Sequence, residues 1–422
     1  MMSAALAQTP PTRSAPPIVV MPSGPPMSLE ELQRLALQNN PTIAQAQAAV
    51  DAARGRARQA ALLPNPTIGY SADEVSKGPV IRGGEHGLFI EQTIPLGGKL
   101  GRGRTVFERE ADQADAERAS QEARVRTSVV MAFYHVLAAQ QRVQTRERLT
   151  QLAIEAIDVT DQLFNVGAAD QPDVLAAEIE ARRIQLSLVE ARNQYSSRWR
   201  MLGAMVGQPG MPERPLAGSL TAAPPELQRD ATLRQLLETS PQPRAAAAGV
   251  ARAEAAIAFA KRETFPDLVL RGGPRYNREL LELNNRPVGW EYAFDAGLTV
   301  PLFNRNQGTK AAAVADLARA RAEQRRLELA LTSRAADLFD GYLTALRESE
   351  VYRTELLPRA ERAYQLYLAR YREMGAAYPQ VLVAQRTVIE LTDQYIAALE
   401  RVWATALEIQ GLQLTNGLDA RQ

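Results

Sequence analysis

Residues 290–302 read Trp-Glu-Tyr-Ala-Phe-Asp-Ala-Gly-Leu-Thr-Val-Pro-Leu, and the stretch alternates in polarity until it reaches Pro301. Every second residue, from Trp290 to Val300, is aromatic or aliphatic, whereas the residues between them are acidic or small. A period of two predicts a β-strand. Residues 88–96 carry a similar alternation and end in Pro95-Leu96. The sequence therefore predicts two related strands.

These two strands belong to a duplication of the whole chain. At a shift of 206 residues, Thr93, Pro95, Leu96 and Phe133 fall on Thr299, Pro301, Leu302 and Phe339. At a shift of 200, Pro41, Val50, Ala53, Ala60 and Pro66 fall on Pro241, Val250, Ala253, Ala260 and Pro266. Residues 166–175 match 374–382 at a shift of 208 that falls to 207. A repeat of this length predicts a duplicated supersecondary unit.

The duplication divides the chain into two predicted repeats, residues 28–207 and 232–416. Each repeat is expected to contain a short helix, an alanine-rich helix, a β-hairpin, a long helix, a tight tip and a returning helix. The remaining predictions are a signal remnant with a proline-rich strap at 1–27, a proline-rich linker at 208–231 and a tail at 417–422. The strands are expected at about 65–96 and 265–302, and the tips at about 166–172 and 374–379.

The prolines and glycines suggest where these elements end. Pro41 and Pro241 fit the first turn of the alanine-rich helices. The polar or glycine-rich stretches 71–87 and 272–289 are expected to be the loops of the two hairpins. Gly167 and Gly375 are expected to cap the helices that precede the tips.

Two long helices are predicted after the hairpins, over about 102–165 and 309–372. At 1.5 Å per residue each would be roughly 95 Å long, which exceeds a globular core helix. Apolar residues recur at steps of four and three, as in a coiled-coil seam. That seam comprises Val125, Val129, Ala132, Val136, Ala139 and Val143 in the first repeat, and Leu331, Ala335, Leu338, Tyr342 and Ala345 in the second. A returning helix, at about 173–206 and 380–416, is expected to pack against each.

The strands also bear on assembly. A strand that crosses a bilayer needs about 9 to 11 alternating residues, and residues 288–302 suffice. Two hairpins supply only four strands, whereas a small closed barrel has about eight. Chains would therefore have to pool strands, and a dimer, a trimer or a tetramer would each satisfy this requirement. The alternative is a soluble four-stranded sheet with Trp290 and Phe294 in its core.

Composition excludes several classes of site. Cysteine is absent, which excludes disulfides and thiolate metal sites, and the net charge of +1 gives no general preference for nucleic acid. His86 and His135 are the only histidines, so neither a metal site nor a catalytic constellation is predicted. The glycine-rich stretch 97–104 lacks the Gly-Lys-Ser/Thr ending of a phosphate loop. We therefore predict no enzyme activity and no cofactor.

The duplicated order of elements, with Pro95-Leu96 and Pro301-Leu302 after the hairpins and Val-Gly or Met-Gly at the tips, resembles the TolC family of outer-membrane efflux proteins. The resemblance covers residues 28–416, and residues 92–99 are similar to the heavy-metal branch exemplified by CzcC and CusC. It implies a mainly α fold with a pair of membrane β-hairpins. It also implies a homotrimer with a shared twelve-stranded β-barrel and an α-helical periplasmic tunnel.

The function implied by this resemblance is a passive outer-membrane channel. The channel would complete a tripartite efflux system with a periplasmic adaptor and an inner-membrane pump of the resistance-nodulation-division class. Its implied cargo is heavy-metal cations, and its location is the outer membrane with a long periplasmic extension. The alternatives are a channel for drug or type I protein export, a periplasmic coiled-coil adaptor, and a soluble enzyme with a helical insert.

The resemblance also suggests which residues have functional roles. The tips would dock the adaptor through Val166, Gly167, Asp170, Met374, Gly375 and Tyr378, although Tyr378 stands where a small polar residue is usual. Asp173 and Gln380 are candidates for the periplasmic entrance, where the drug exporters carry an acidic ring that this chain lacks. Glu91, Glu291 and Asp295, on the polar faces of the strands, are candidates for the lumen of the barrel.

Overall fold

A computed structural model describes residues 24–75, 83–280 and 286–411, and in them the same order of helices and strands occurs twice. The first series is α1 (Leu29–Asn39), α2 (Pro41–Ala60), β1 (Thr67–Asp73), β2 (Glu85–Pro95), α3 (Lys99–Asn165) and α4 (Gln171–Met205). The second is α5 (Arg229–Thr239), α6 (Pro241–Arg262), β3 (Asp267–Leu280), β4 (Pro287–Thr299), α7 (Gln307–Val351), α8 (Leu357–Arg372) and α9 (Tyr378–Gln410). The predicted element order is thus confirmed.

Proline and asparagine set the boundary between α1 and α2. The Asn40 side chain accepts a hydrogen bond from the Thr42 backbone N–H at 3.0 Å, and Pro41 occupies the first turn of α2. Pro241 has the same position in α6. Proline suits the first turn of a helix, because the backbone N–H that it lacks would have no hydrogen-bond partner at that position.

The four strands form one antiparallel sheet in the order β1-β2-β3-β4. The two hairpins are joined through β2 and β3, where Ile94 lies opposite Leu268. The register places Ile68 opposite Ile90 and Leu268 opposite Leu298, so apolar residues of all four strands share one face. Within the described chain, β1 and β4 each have a partner on one side only.

Strand β3 extends further than the sequence predicted. Residues 272–280 were expected to be a loop, but they continue β3 opposite β4. Gly273 crosses so close to the Leu88 carbonyl of β2 that a Cβ there would overlap it. Next to it, Pro274 interrupts the pairing with β2 because it has no N–H to donate. The glycine and proline therefore fit a close strand crossing, and their loop-like composition misled the prediction.

The first long helix is continuous but the second is not. Helix α3 runs for 67 residues, or roughly 100 Å. The predicted helix over 309–372 is wrong in its middle, where a π-helical turn at Tyr352–Leu356 separates α7 from α8. Pro358 lies just beyond this turn, at a position where it cannot donate a hydrogen bond to the preceding turn. Tyr352 in the turn donates a hydrogen bond to Gln394 of α9 at 3.1 Å.

The largest core cluster lies where α1, α3 and α4 meet the linker between the repeats. It contains fully buried Trp199 and Leu202 of α4 together with Val129 of α3. Tyr195 and Trp199 donate hydrogen bonds to the carbonyls of Arg214 and Met211, at 2.8 and 3.0 Å. The linker also receives hydrogen bonds from the second repeat, from Tyr342 to Pro225 and from Trp403 to Leu220. It therefore lies along the helices of both repeats.

In the described part of the chain, no helix combines the length and the apolar character that a membrane crossing requires.

Candidate functional site

The first tip is a tight turn between α3 and α4. The Gly167 N–H donates a hydrogen bond to the Phe164 carbonyl at 3.0 Å, and the Ala168 N–H donates to the Leu163 carbonyl at 2.8 Å. Gly167 has a φ of +76°, a left-handed conformation that glycine adopts without a steric penalty. Val166 is 73% exposed, and Asp170 is also exposed, at the N-cap position of α4. Gly167 therefore caps α3, as the sequence predicts.

The second tip has the same hydrogen bonds on different residues. The Met374 N–H donates to the Tyr371 carbonyl at 3.0 Å, and the Gly375 N–H donates to the Arg370 carbonyl at 2.7 Å. Met374 has the left-handed φ of +59°, whereas Gly375 has no positive φ. The prediction that Gly375 caps this helix is therefore wrong, because Met374 holds the equivalent of the Gly167 position.

Equivalent residues of the two tips are thus 207 positions apart rather than 208. The buried residues Phe133 and Phe339 earlier in the long helices are related by 206. The second repeat therefore gains one residue between these points, and this interval contains the π-helical turn at Tyr352–Leu356. A π turn accommodates one extra residue within an α-helix. The one-residue insertion is therefore assigned to the π-helical turn.

Tyr378 lies inside the second tip. It is 2% exposed and packs in a cluster with Tyr364 and Tyr371 of α8 and Ala177 of α4. Burial raises the pKa of Tyr378, and the nearby Glu180 carboxylate adds to this shift. Its side chain is not part of the exposed tip surface, and its counterpart in the first hairpin is exposed Gln171. Because this cluster includes residues of α4, α8 and α9, the two tips lie side by side.

The candidate entrance residues occupy equivalent positions, 207 residues apart. Asp173 lies in the first turn of α4 and is half-buried, whereas Gln380 lies in the first turn of α9 and is exposed. Asp173 therefore has a negative charge where a helix N-terminus favours one.

A buried carboxylate joins the two hairpins close to these tips. Glu180 of α4 is among the buried charged residues, and its Oε2 atom accepts a hydrogen bond from Arg386 of α9 at 2.7 Å. Arg146 of α3 and Asp393 of α9 form a second ion pair between the hairpins. Neither pair can be predicted from the sequence pattern, because each joins residues that are more than 200 positions apart.

A third link lies farther along α9, at one of the two histidines. Glu400 accepts a hydrogen bond from Arg142 and pairs with His135 Nδ1, each at 2.7 Å. Burial opposes ionisation of Glu400, but the His135 and Arg142 interactions outweigh it and lower the pKa of Glu400 to about 2. His135 is therefore the partner of a carboxylate rather than a metal ligand.

The three candidate lumen acids lie on the polar face of the sheet together with arginines. Arg275 contacts Glu85 at 2.5 Å and Glu291 at 3.3 Å. The register places Arg271 opposite both Glu91 and Asp295, with its guanidinium 3.8 Å from the centre of the Phe89 ring. The sequence predicts a loop at 272–280, which hides the place of Arg275 in the strand. Arg271 lies in the predicted strand, but its pairing with Glu91 and Asp295 depends on the register of the sheet. The face carries charge of both signs.

Lys99 and His86, which the sequence also singles out, each contact another side chain of the protein. Lys99, in the glycine-rich stretch, forms an ion pair with Asp267 at the start of β3, at 2.8 Å. His86 was expected in a loop but lies in β2, where Nδ1 is 2.5 Å from the Tyr70 hydroxyl. Among the described residues, no three acidic, histidine or cysteine side chains converge in a way that could hold a metal ion.

Comparisons with known proteins agree with this architecture. The family model of the outer membrane efflux protein matches residues 32–208 and 232–410. The cobalt-zinc-cadmium resistance protein CzcC of Cupriavidus metallidurans is 25% identical over 409 residues, which is 96% of this chain and 94% of CzcC.

Two solved structures show the same fold. The outer-membrane channel OprN matches with a TM-score of 0.75 at 19% identity, over 93% of this chain and 91% of its own. CusC, described as forming a transmembrane channel, matches with a TM-score of 0.68 at 16% identity, over 91% of both chains. The predicted TolC-like fold is thereby confirmed, and the chain belongs to the outer membrane efflux protein family.

Proposed function

We propose that this chain is the outer-membrane channel of a tripartite efflux system and that three copies pool their strands into one twelve-stranded barrel. The observation that carries the proposal is the apolar face of the sheet. Trp290, Tyr292 and Phe294 are 72%, 74% and 83% exposed, and Ile68 and Leu88 of the other hairpin are exposed on the same face. So much exposed aromatic surface suits contact with lipid rather than water.

The sheet edges support the pooling of chains. Strands β1 and β4 each lack a second partner within the described chain, and unpaired backbone groups are costly in hydrocarbon. Pairing β4 of one copy with β1 of the next would satisfy both edges. The number three is the one that the family resemblance implies.

A stripe of exposed apolar residues on α4 supports the same assembly in the helical region. Its members lie at coiled-coil steps along the side of α4 that the chain leaves uncovered, and they are Leu175, Ile179, Leu186 and Val189. Leu356 of the π-helical turn and Leu366 of α8 are exposed apolar residues of the second hairpin. Packing of one copy's α4 against the next copy's α8 would bury both surfaces and build a continuous helical wall.

In this assembly the tips would lie at the periplasmic end and dock the adaptor. Val166 and Met374 are exposed apolar residues at equivalent ends of the two hairpins. Gly167, Asp170 and Gly375 complete the proposed surface, whereas Tyr378 supports it from inside. The inner-membrane pump would supply energy and selectivity, and this chain would supply the path through the periplasm and the outer membrane.

The proposed cargo is heavy-metal cations. The similarity to a cobalt-zinc-cadmium resistance protein over almost the whole chain supports this choice. The lumen acids Glu91, Glu291 and Asp295 would favour cations only weakly, because Arg271 and Arg275 share their face. Selectivity is therefore assigned to the pump, and a channel for drug or type I protein export is the alternative.

The docking part of the proposal is tested by charging both tips. The double variant Val166→Asp, Met374→Asp should abolish efflux-dependent resistance in cells while a folded oligomer remains in the outer membrane. Val314→Asp, at an exposed apolar position on α7, is the matched control and should retain resistance. Full resistance in the double variant would show that the adaptor does not depend on these tips.

The cargo is tested by deleting the gene in its own host and measuring growth. We expect sensitivity to zinc, cobalt and cadmium salts to increase several-fold while sensitivity to organic drugs stays unchanged. The opposite pattern would replace the metal cargo with drugs and leave the channel function in place.

A further inference from the structure

A cavity of about 420 Å³ lies between α3, α8 and α9 within a single chain. Thr221 of the linker also lines it. Its volume lies within the range of roughly 300–1,000 Å³ that is typical of small-molecule sites.

Aliphatic side chains from all three helices form part of the cavity wall. Leu149 and Leu152 come from α3, Leu357 comes from α8, and Val388 and Leu399 come from α9. Two tyrosines, Tyr364 of α8 and Tyr395 of α9, add aromatic surface, and burial raises the pKa of both. The other half of the lining residues are polar, so the wall suits an amphipathic molecule with a ring.

One polar group in the wall has no partner. Gln385 of α9 is 3% exposed, and among the described residues nothing forms a hydrogen bond with its Nε2 atom. A buried amide donor without a partner is costly, and such groups are normally satisfied by protein, water or ligand. The neighbouring Thr392 hydroxyl is already committed, since it donates to the Val388 carbonyl at 2.7 Å. Gln385 lines the cavity, and its Nε2 atom has almost no accessible surface, so it can donate to an acceptor atom there once its side chain turns toward the cavity.

The charges at the cavity are balanced. Arg148 of α3 and Glu361 of α8 are its only charged lining residues among those described, and both are exposed. A single carboxylate without histidine does not suit a metal ion. The lining as a whole suits an uncharged or zwitterionic molecule.

From these observations we infer a binding site for an amphipathic organic molecule of drug size, whose ring lies among the leucines and tyrosines and whose acceptor oxygen binds Gln385 Nε2. The site contacts α3 of the first hairpin and both helices of the second. An occupant would therefore stabilise one arrangement of the two hairpins relative to each other.

The fluorescent aromatic lactone aminomethylcoumarin, which is uncharged and has a carbonyl acceptor, is a suitable probe. Its binding to the detergent-solubilised protein is measured by equilibrium dialysis against detergent alone. We expect saturable binding with one site per chain. The absence of saturable binding would overturn the site.

Three variants locate the binding. Val388→Trp should fill the cavity and abolish binding, and Gln385→Leu should weaken it about fivefold through the loss of one hydrogen bond. Leu343→Trp, at an exposed position on α7 outside the cavity, is the control and should bind as the wild type does. Unchanged affinity in either Val388→Trp or Gln385→Leu would overturn the assignment. Circular dichroism of each variant verifies folding, and Gln385→Leu alone decides the outcome if Val388→Trp does not fold.

Discussion

The two tips share one backbone design but differ in what holds them together. Both close with the same hydrogen bonds, from Gly167 to Phe164 in the first and from Met374 to Tyr371 in the second. The first tip relies on glycine at its left-handed position, whereas the second places Met374 there. A left-handed conformation costs a residue with a side chain about 1–2 kcal/mol. The second tip must therefore be stabilised by something that the first lacks.

The aromatic cluster beneath the second tip supplies this stabilisation. Tyr371 and Tyr378 flank the turn with ring centres 5.6 Å apart, and Tyr364 packs with them. At the first tip, Phe164 and Gln171 occupy the positions of Tyr371 and Tyr378, and both are exposed. The difference suggests that the second tip is anchored in the protein, whereas the first is held mainly by its own turn.

The largest effect is expected from removing this anchor. Tyr378→Ala should destabilise the second tip locally by about 3 kcal/mol, because a buried aromatic side chain leaves a cavity. Native-state hydrogen exchange of the amides around residues 371–378 measures the change. Gln171→Ala is the matched control, since it has the same place in the first hairpin and is exposed. Equal effects of the two substitutions would contradict an anchor specific to the second tip.

An intermediate effect is expected at the link between the hairpins that lies farthest from the tips. It should not change the stability of one tip more than that of the other. Glu400→Gln removes the ionised partner of His135 and Arg142 and should cost about 2 kcal/mol near neutral pH. Folding lowers the pKa of Glu400 from 4.5 to about 2, so its contribution is present above pH 4.5 and is lost as the pH falls toward 2. Chemical denaturation of wild type and variant across this range should therefore give curves that converge in acid.

Glu390→Gln is the control for this experiment, because Glu390 is exposed on the same helix. It should change stability little at any pH. A Glu400→Gln curve that stays parallel to the wild type down to pH 2 would show that the carboxylate does not depend on its two partners.

The smallest effects test the one-residue difference between the tips. Gly167→Ala should cost about 1 kcal/mol because Gly167 has a positive φ. Gly375→Ala should be nearly neutral, since Gly375 lacks a positive φ and a Cβ there would meet no atom nearer than 3.5 Å. Met374→Gly should not destabilise the protein. Thermal unfolding in detergent ranks the three variants, and a large loss in Gly375→Ala would restore the capping role that the sequence predicted.

Much of the fold could be predicted because its signals are local. The alternation from Trp290 to Val300 and the first-turn prolines Pro41 and Pro241 depend only on neighbouring residues. The duplication then allowed each repeat to check the other. The prediction failed at Gly273 and Pro274, because these residue types are typical of a loop. The sequence does not show that β3 passes very close to β2 at this point, and this close approach is what requires them.

The candidate site was less accessible to prediction for a related reason. Val166 and Met374 lie on the exposed tips, but the alignment by sequence placed Gly375 on Gly167 because both are glycines. The extra residue is absorbed about twenty positions earlier, at the π-helical turn, where the sequence alone shows no gap. The burial of Tyr378 and the Glu180–Arg386 pair likewise arise from contacts between the hairpins, which local patterns do not encode.

The central claim is that several copies of this chain share one barrel, and the mass and shape of the detergent-extracted protein test it most directly. Light scattering combined with electron microscopy should find three chains of 46.2 kDa, with a long tube protruding from a single detergent belt. A single chain that stays soluble without detergent would contradict the shared barrel, because the apolar face around Phe294 would then have to be covered within the chain itself.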